Sequence, residues 1–232
     1  LIFERMPATL ELVAVAACLV LCIAIPLGVY AGAYPKRASS KLIMSGSILG
    51  ISLPSFWVGM MMIYIFAVVL RLLPASGGNT VMVGNVALSI FAPGGIRYVI
   101  LPAITLALTN VATMLRLTRS GILENMRQDY IKFARAKGVP AKSILFGHAL
   151  KNALIPVVTI FGMDLGNMIA FTTITETIFA WPGMGKLLID AINKSDRPII
   201  VAYLMAAACM FVVLNFIVDI LYTLIDPRIE LR

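Results

Sequence analysis

The stretch LVAVAACLVLCIAIPLGVYAGA at residues 12–33 contains 22 residues and no charged side chain. A helix rises 1.5 Å per residue, so about 20 apolar residues cross the roughly 30 Å hydrocarbon core of a bilayer. Four further long apolar stretches follow, at residues 42–70, 99–117, 153–178 and 199–225. Because a helix satisfies its own backbone hydrogen bonds in lipid, we predict an all-α membrane protein with five spans in this chain.

The composition of the 232 residues supports this fold class. Hydrophobic residues make up 60% of the chain and charged residues 13%, with a mean hydropathy of +0.96. In soluble domains about half of the residues are apolar and about a quarter are charged. Since five spans leave only short connections, we treat residues 1–232 as a single transmembrane domain. We expect the three cysteines, which all lie in apolar stretches, to be small buried hydrophobes.

Glycine and proline recur inside the apolar stretches, as they do in many membrane bundles. Pro54 lies within the second stretch, for example. Three pairs of glycines are spaced four residues apart, namely Gly28/Gly32, Gly46/Gly50 and Gly162/Gly166. This spacing lets two helices approach closely, so together the pairs favour a packed bundle over a lone membrane anchor.

The positions of Lys and Arg predict the orientation of the chain. Thirteen of the 19 lie after the first stretch, in or beside the segment at residues 117–153, or in the C-terminal tail. Positive residues in short loops stay in the cytoplasm, so we expect a cytoplasmic C-terminus and outer loops at residues 72–98 and 179–198. The net charge of +8 then reflects cytoplasmic loops and not nucleic-acid binding. This orientation places Leu1 on the outer side of the membrane, which is awkward for insertion without a signal sequence. We therefore also expect a sixth, N-terminal span that is missing from this chain.

The usual catalytic motifs do not occur in the sequence. The string GMGK at residues 183–186 is followed by Leu187, where a nucleotide-binding loop needs Ser or Thr. HExxH and GxSxG motifs are absent, and the single histidine, His148, has no Cys or second His beside it as a metal co-ligand. We therefore predict neither a catalytic nor a metal site, and a membrane enzyme is the less favoured alternative.

The segment at residues 117–153 is long for a connection between spans. It has a helical pattern at about residues 128–137, with Gly138 as a stop and Pro140 just beyond. A basic helix at the lipid headgroups is one interpretation. A helix that docks on a partner is the other, since small residues permit close approach and charges determine the register. Small and basic residues alternate here at Ala134, Arg135, Ala136, Lys137 and Gly138.

Eight strings spread over nearly the whole chain resemble a known family, the ABC-importer inner-membrane permeases, and in particular the dipeptide/oligopeptide/nickel subfamily. The general permease loop has an EAA motif where this chain has Lys132, Phe133 and Ala134, but it shares the glycine at Gly138. This departure resembles the pattern of the peptide subfamily. The strings are RMPATLEL (5–12), SLPSFWVGM (52–60), LPASG (73–77), RLTRSGILE (116–124), DYIKFARAKG (129–138), HALKNALIPVVT (148–159), TETIFAWPGMGKLLIDAI (175–192) and VDILYTLIDPRI (218–229).

The resemblance implies a type I ABC-importer transmembrane domain in a prokaryotic inner membrane. Such a subunit pairs with a second, homologous permease, and the two line a translocation path that opens alternately to each side. Two cytoplasmic ATPase subunits carry ATP and Mg²⁺, while the permease itself binds no cofactor. An extracytoplasmic solute-binding protein delivers the substrate, which in relatives is a dipeptide, an oligopeptide, glutathione, an opine or a nickel complex.

The resemblance also identifies the helix at about residues 128–137 as a coupling helix, which sits in a groove of an ATPase. Asp129 is expected to begin this helix and to cap it. The ATPase-coupling residues implied in this way are Asp129, Ala134, Arg135, Ala136, Lys137 and Gly138.

Polar residues inside spans are costly in lipid and usually face the interior of the bundle. Asp164 is a candidate to meet the amino terminus of a peptide, or it forms a structural pair with Asn110 or Asn167. For Glu176, packing or capping is at least as well supported as substrate contact. A secondary transporter or channel independent of ATP, which would need neither the docking helix nor a partner ATPase, is the alternative function. The candidate substrate-path residues are Asn110, Asp164, Asn167 and Asn215.

Overall fold

The computed structural model describes residues 1–78, 80–83 and 86–225, and in this part the chain consists of helices, their connections and one two-stranded hairpin. The C-terminal tail with its two arginines, and the end of the string at 218–229, lie outside the described residues. Two π-helical segments, Ile63–Val69 and Ile144–Ala149, follow α3 and precede α7. The helices are α1 (Ile2–Ala33), α2 (Ala38–Ser52), α3 (Ser55–Met62), α4 (Ile96–Asn125), α5 (Asp129–Ala136), α6 (Ala141–Ser143), α7 (Leu150–Ile178), α8 (Met184–Asn193) and α9 (Arg197–Ile225).

Within the described residues, four helices are long and apolar enough to cross a membrane. They are α1, α4, α7 together with α6 and its π-helical segment, and α9 as far as Val218. Taken over their full lengths, α1, α4, α7 and α9 contain the predicted stretches at residues 12–33, 99–117, 153–178 and 199–225 respectively. The prediction of an all-α membrane fold is therefore confirmed.

The second predicted span, at residues 42–70, is not one continuous helix. The chain forms α2 and then α3 with its π-helical continuation, and the two parts are bent by 106°. The break lies at Leu53 and Pro54, because proline has no backbone N–H and the residue before it avoids helical backbone angles. Together the two parts have the length and hydropathy of one span, which brings the possible number of described spans to five.

The chain divides into two compact units, and α1, α4, α7 and α9 contribute to both. The first unit comprises residues 1–19, 53–108 and 164–215, and its largest fully buried side chains include Trp181 and Phe179. The second comprises residues 20–52 and 109–163 and the chain from residue 216 on. A buried cluster in the second unit contains Val29, Ile122, Ile131, Ile144, Ala149 and Ala153.

Two of the three predicted glycine pairs lie at close helix contacts. A Cβ atom on Gly28 would lie 2.6 Å from Cβ of Thr118, and one on Gly32 would lie 2.7 Å from Cβ of Ile122. These glycines let α1 and α4 approach more closely than larger residues permit. Gly162 and Gly166 are in similar close contact with residues of α9, whereas a Cβ on Gly46 would meet nothing within 4 Å.

The three cysteines are exposed on the surface of the chain, so the prediction that they are buried is wrong. Cys18 and Cys22 lie on α1, and Cys209 lies on α9. Lipid is as apolar as a protein core, so a membrane helix has apolar residues on its lipid-facing side as well as on its packed side. An apolar sequence around a cysteine therefore does not show that the cysteine is buried in protein.

The two loops predicted at the outer face contain regular structure. In the first, Val81–Val83 (β1) pairs antiparallel with Val86–Leu88 (β2), and α4 begins at Ile96, before the predicted end of the loop. The second loop, at residues 179–198, contains the ten-residue helix α8. Neither the hairpin nor α8 was predicted.

Candidate functional site

The short helix α5 has well-defined ends that its own sequence explains. Gln128 precedes it in an extended conformation, and Asp129 in the first turn complements the positive end of the helix dipole. At the other end Gly138 has a φ of +78°, which favours glycine. The N–H of Gly138 donates to the carbonyl of Arg135, and the N–H of Val139 donates to that of Ala134. This is a Schellman motif, and it confirms the predicted stop at Gly138.

One apolar side chain attaches α5 to the second unit. Ile131 is fully buried in the cluster that also contains Ile122 of α4 and Ala153 of α7. Ala134, one turn further along α5, packs against the same cluster, as does Val139. Truncation of a buried isoleucine costs about 2–5 kcal/mol, so this contact holds α5 firmly against α4 and α7.

Two hydrogen bonds connect α5 to α4 and α7 beside this cluster, and a third bond within α4 orients one of the partners. The Tyr130 hydroxyl donates to Oδ1 of Asn125 at 2.8 Å, and Nδ2 of Asn152 donates to the Tyr130 hydroxyl at 2.9 Å. Nδ2 of Asn125 donates to the carbonyl oxygen of Gly121, also at 2.9 Å. Asn125 is the last residue of α4, and Asn152 lies in the first turn of α7. The Tyr130 hydroxyl is therefore both a donor and an acceptor between two long helices.

The other side of α5 is exposed and combines an aromatic ring with charges. Phe133 is 62% exposed, and Nζ of Lys137 lies 4.5 Å from the centre of its ring. Nζ of Lys132 donates to Oδ1 of Asp129 at 2.8 Å, and this hydrogen bond lowers the pKa of the Asp129 carboxyl below its ordinary value. An exposed ion pair of this kind contributes little to stability. We use the term α5 face for the exposed residues Asp129, Lys132, Phe133, Arg135, Ala136, Lys137 and Gly138.

The structure separates the predicted coupling residues into two sets. Asp129 is the first residue of α5 and not its cap: Gln128 occupies the cap position, and the Asp129 carboxylate bonds to Lys132. Ala134 is half-buried against the apolar cluster. Phe133 was not predicted as a site residue, although a large aromatic residue between the basic residues Lys132 and Arg135 was a signal. The exposed predicted residues are Asp129, Arg135, Ala136, Lys137 and Gly138.

Of the candidate substrate-path residues, the structure brings Asp164 and Asn167 together. Asp164 and Asn167 lie one turn apart on α7, and the Asn167 side chain interacts electrostatically with the Asp164 carboxyl. Asp164 is half-buried and Asn167 is exposed. Asn215 on α9 is also half-buried, as is Asn110 on α4.

Glu176 caps a helix, which agrees with one of its two predicted roles. Its carboxylate is fully buried and accepts hydrogen bonds from the Thr9 hydroxyl at 2.7 Å and from the Lys186 N–H at 3.0 Å. The Thr9 hydroxyl in turn accepts from the N–H of Met184 at 2.8 Å. The carboxylate therefore satisfies backbone N–H groups at the start of α8, where negative charge is also favoured by the helix dipole.

Replacement of Glu176 by leucine is expected to destabilise the protein by about 1–3 kcal/mol, because buried donors at the start of α8 lose their acceptor. Thermal unfolding of the detergent-solubilised chain would measure this effect. Glu124 is exposed on α4 and provides the matched control, Glu124→Leu. Equal unfolding temperatures for the two variants would contradict the capping role.

Comparison with known proteins adds independent information about the chain. Residues 24–231 match the family described as "Binding-protein-dependent transport system inner membrane component". The oligopeptide transport system permease protein AppB of Bacillus subtilis is 42% identical over 230 residues, which are 99% of this chain and 71% of AppB. The dipeptide transport system permease protein DppB of Escherichia coli K12 is 37% identical over 242 residues, 97% of this chain and 71% of DppB.

Solved structures with the same fold are more distant in sequence. An inward-facing structure of the MetNI methionine ABC transporter matches with a TM-score of 0.74 at 15% identity and covers 97% of this chain and 96% of that one. An amino acid ABC transporter with histidines matches with a TM-score of 0.62 at 14% identity and covers 98% and 94%. At this level of identity the similarity shows the fold.

Proposed function

The chain belongs to the family of binding-protein-dependent transport system inner membrane components, so it is the permease subunit of an ABC importer, and we propose that it transports peptides or a related solute. The names of the relatives support this substrate class, because AppB is an oligopeptide permease and DppB a dipeptide permease. The di/tripeptide permease DppB of Pseudomonas aeruginosa, 39% identical over 97% of this chain and 70% of its own length, supports it further.

The proposed complex contains subunits other than this chain. A second, homologous permease provides the other half of the translocation path, and an extracytoplasmic solute-binding protein delivers the substrate. Two cytoplasmic ATPase subunits bind ATP and Mg²⁺, and their closure moves the permeases between inward-open and outward-open states as rigid bodies. To shift these populations substantially, ATP must favour one state by several kcal/mol, so the contact between permease and ATPase must be firm.

The orientation of the chain is part of the proposal. The bias of Lys and Arg toward one side supports a cytoplasmic α5 and C-terminus, with the hairpin and α8 on the outer side of a prokaryotic inner membrane. A cytoplasmic ATPase can contact α5 only if this helix lies in the cytoplasm. The charge distribution therefore agrees with the proposed coupling role of α5.

The observation that carries the proposed coupling role is the exposure of Phe133. An aromatic ring that is 62% exposed, on a helix outside the spans, leaves apolar area in contact with water. Burial of this ring in a groove of the ATPase removes that area from water, and the neighbouring Arg135 and Lys137 are placed to select an acidic rim. The small residues Ala136 and Gly138 permit close approach, as the sequence suggests.

The substrate path is proposed to pass the polar residues of the spans. Polar side chains in membrane spans usually face the bundle interior or a cavity, where they mark substrate pathways, and they seldom face lipid. Asp164 is half-buried, and its carboxylate has two oxygens that can accept hydrogen bonds from a peptide amino group. The proposed path residues are Asn110, Asp164, Asn167 and Asn215.

Co-purification of the full-length protein from detergent, with mass spectrometry of the bound proteins, tests the proposed function. We expect a second permease and one or two ATPases to accompany it. Uptake of labelled di- to pentaalanine into vesicles should then require ATP. A homo-oligomer without an ATPase, or peptide flux that continues without ATP, would contradict the proposal and support a secondary transporter or channel.

A further inference from the structure

In the first turn of α7, Nδ2 of Asn152 donates a hydrogen bond to the Tyr130 hydroxyl of α5. We infer that Tyr130 is a positioning residue that makes α4 and α7 follow each movement of α5. This inference deepens the proposed function and rests on it, since it concerns how a displacement of α5 by an ATPase reaches the spanning helices.

The two ends of α5 are connected to the neighbouring long helices by segments of different length. Toward α4 only a short turn intervenes, in which the N–H of Gln128 donates to the carbonyl of Asn125 at 3.1 Å. Toward α7 the chain passes through Gly138, the short α6 and the π-helical segment Ile144–Ala149 before it reaches Leu150. The backbone therefore gives α5 a short connection to α4 and a long one to α7.

The bond from Asn152 to Tyr130 bypasses that long connection. Its two residues are separated by 22 positions in the sequence, yet Nδ2 of Asn152 lies 2.9 Å from the hydroxyl oxygen. The same hydroxyl donates its one proton to Oδ1 of Asn125. Asn125 is held in the required orientation because its Nδ2 donates to the carbonyl of Gly121. Each atom in this chain of bonds thus has a defined donor or acceptor role.

Apolar packing and these hydrogen bonds constrain α5 differently. The buried Ile131 resists separation of α5 from the cluster, but the hydrophobic effect has no preferred direction and permits sliding. Hydrogen bonds weaken steeply when their length or angle changes, so the Tyr130 bonds fix the register of α5 against α4 and α7. Ile131 therefore holds α5 in place, and Tyr130 determines where along the two helices it is held.

The test uses the complex reconstituted into liposomes with its ATPases and solute-binding protein, and compares Tyr130→Phe with the wild type. This variant keeps the ring and removes the hydroxyl. We expect ATPase co-purification and ATP hydrolysis to change less than about twofold. Uptake of labelled di- to pentaalanine per ATP hydrolysed should fall about fivefold or more, because the hydrogen-bonded link from α5 to α7 is lost.

Two further variants make the result specific. Asn152→Ala removes the partner on α7 and should reduce the coupling ratio by a similar factor, with no additional loss in the double variant. Tyr34→Phe is the matched control, because Tyr34 is 45% exposed against 39% for Tyr130 and no hydrogen bond of its hydroxyl occurs among the described residues. It should leave the coupling ratio unchanged.

The remaining outcomes overturn the inference in distinguishable ways. An unchanged coupling ratio in both Tyr130→Phe and Asn152→Ala shows that the hydroxyl bridge transmits nothing. Loss of ATPase co-purification in Tyr130→Phe shows that Tyr130 belongs to the docking contact instead. Should the wild-type complex itself lack ATPases or ATP-dependent uptake, the proposed function fails, and the inference that rests on it fails too.

Discussion

Replacement of Phe133 by alanine is expected to weaken the association of the permease with its ATPases about tenfold or more. The ring is 62% exposed in the chain alone, so its truncation costs the permease little stability. In a complex, an aromatic residue at the centre of a contact typically contributes about 2 kcal/mol or more, and 1.4 kcal/mol corresponds to a factor of ten in affinity. ATP-driven uptake should fall by at least a similar factor.

The measurement is quantitative co-purification of the ATPases together with uptake in vesicles. Phe91 provides the matched control, since it is 66% exposed and lies after the hairpin, far from α5 in sequence and in the other unit. Phe91→Ala should leave ATPase association unchanged. If Phe133→Ala associated as strongly as the wild type, the α5 face would not be the docking surface.

Replacement of Gly138 by valine is expected to abolish most of the coupled uptake, with a loss of about tenfold or more. The backbone at Gly138 has a φ of +78°, where an ordinary L-residue costs about 1–2 kcal/mol and a β-branched one more. To relieve this strain the chain must open the Schellman motif that ends α5. The bonds to Arg135 and Ala134 are then lost, and the α5 face changes its shape at the contact.

Uptake and ATPase co-purification would measure this effect, with two variants for comparison. Gly147→Val adds the same side chain at an exposed glycine where a Cβ meets nothing within 4 Å and the backbone φ is not positive, so it should transport normally. Gly138→Asn should retain more activity than Gly138→Val, because asparagine tolerates the left-handed region. Normal uptake by Gly138→Val would show that the end of α5 plays no part in coupling.

Local signals explain why α5 was predicted almost to the residue. The predicted helix at about residues 128–137 is observed at Asp129–Ala136, because a glycine stop and a charged first turn act within one turn of the helix. The assignment of Asp129 as the cap was off by one position. Residue preferences favour Asp as a cap, but the cap position is defined by the backbone conformation, and in the folded chain Gln128 is the residue with extended backbone angles.

Contacts between distant residues were not predictable from the same signals. Thr9 and Glu176 are 167 residues apart in the sequence, and nothing in either neighbourhood indicates that one hydroxyl and one carboxylate share the start of α8. Tyr130 and Asn152 are 22 residues apart, and their sequence neighbourhoods likewise do not indicate that their side chains form a hydrogen bond. Such pairs exist only because helices that are far apart in sequence pack side by side.

The sequence by itself determined the membrane class, the positions of the long helices, the family and the helix at residues 129–136. These properties depend on hydropathy and on signals that act within a few residues. Only the tertiary structure decided which faces are packed, as the exposed cysteines, the buried Glu176 and the Tyr130 bridge show. The physical reason is that lipid and protein interior are equally apolar, so an apolar helix carries no local mark of the face that its neighbours will cover.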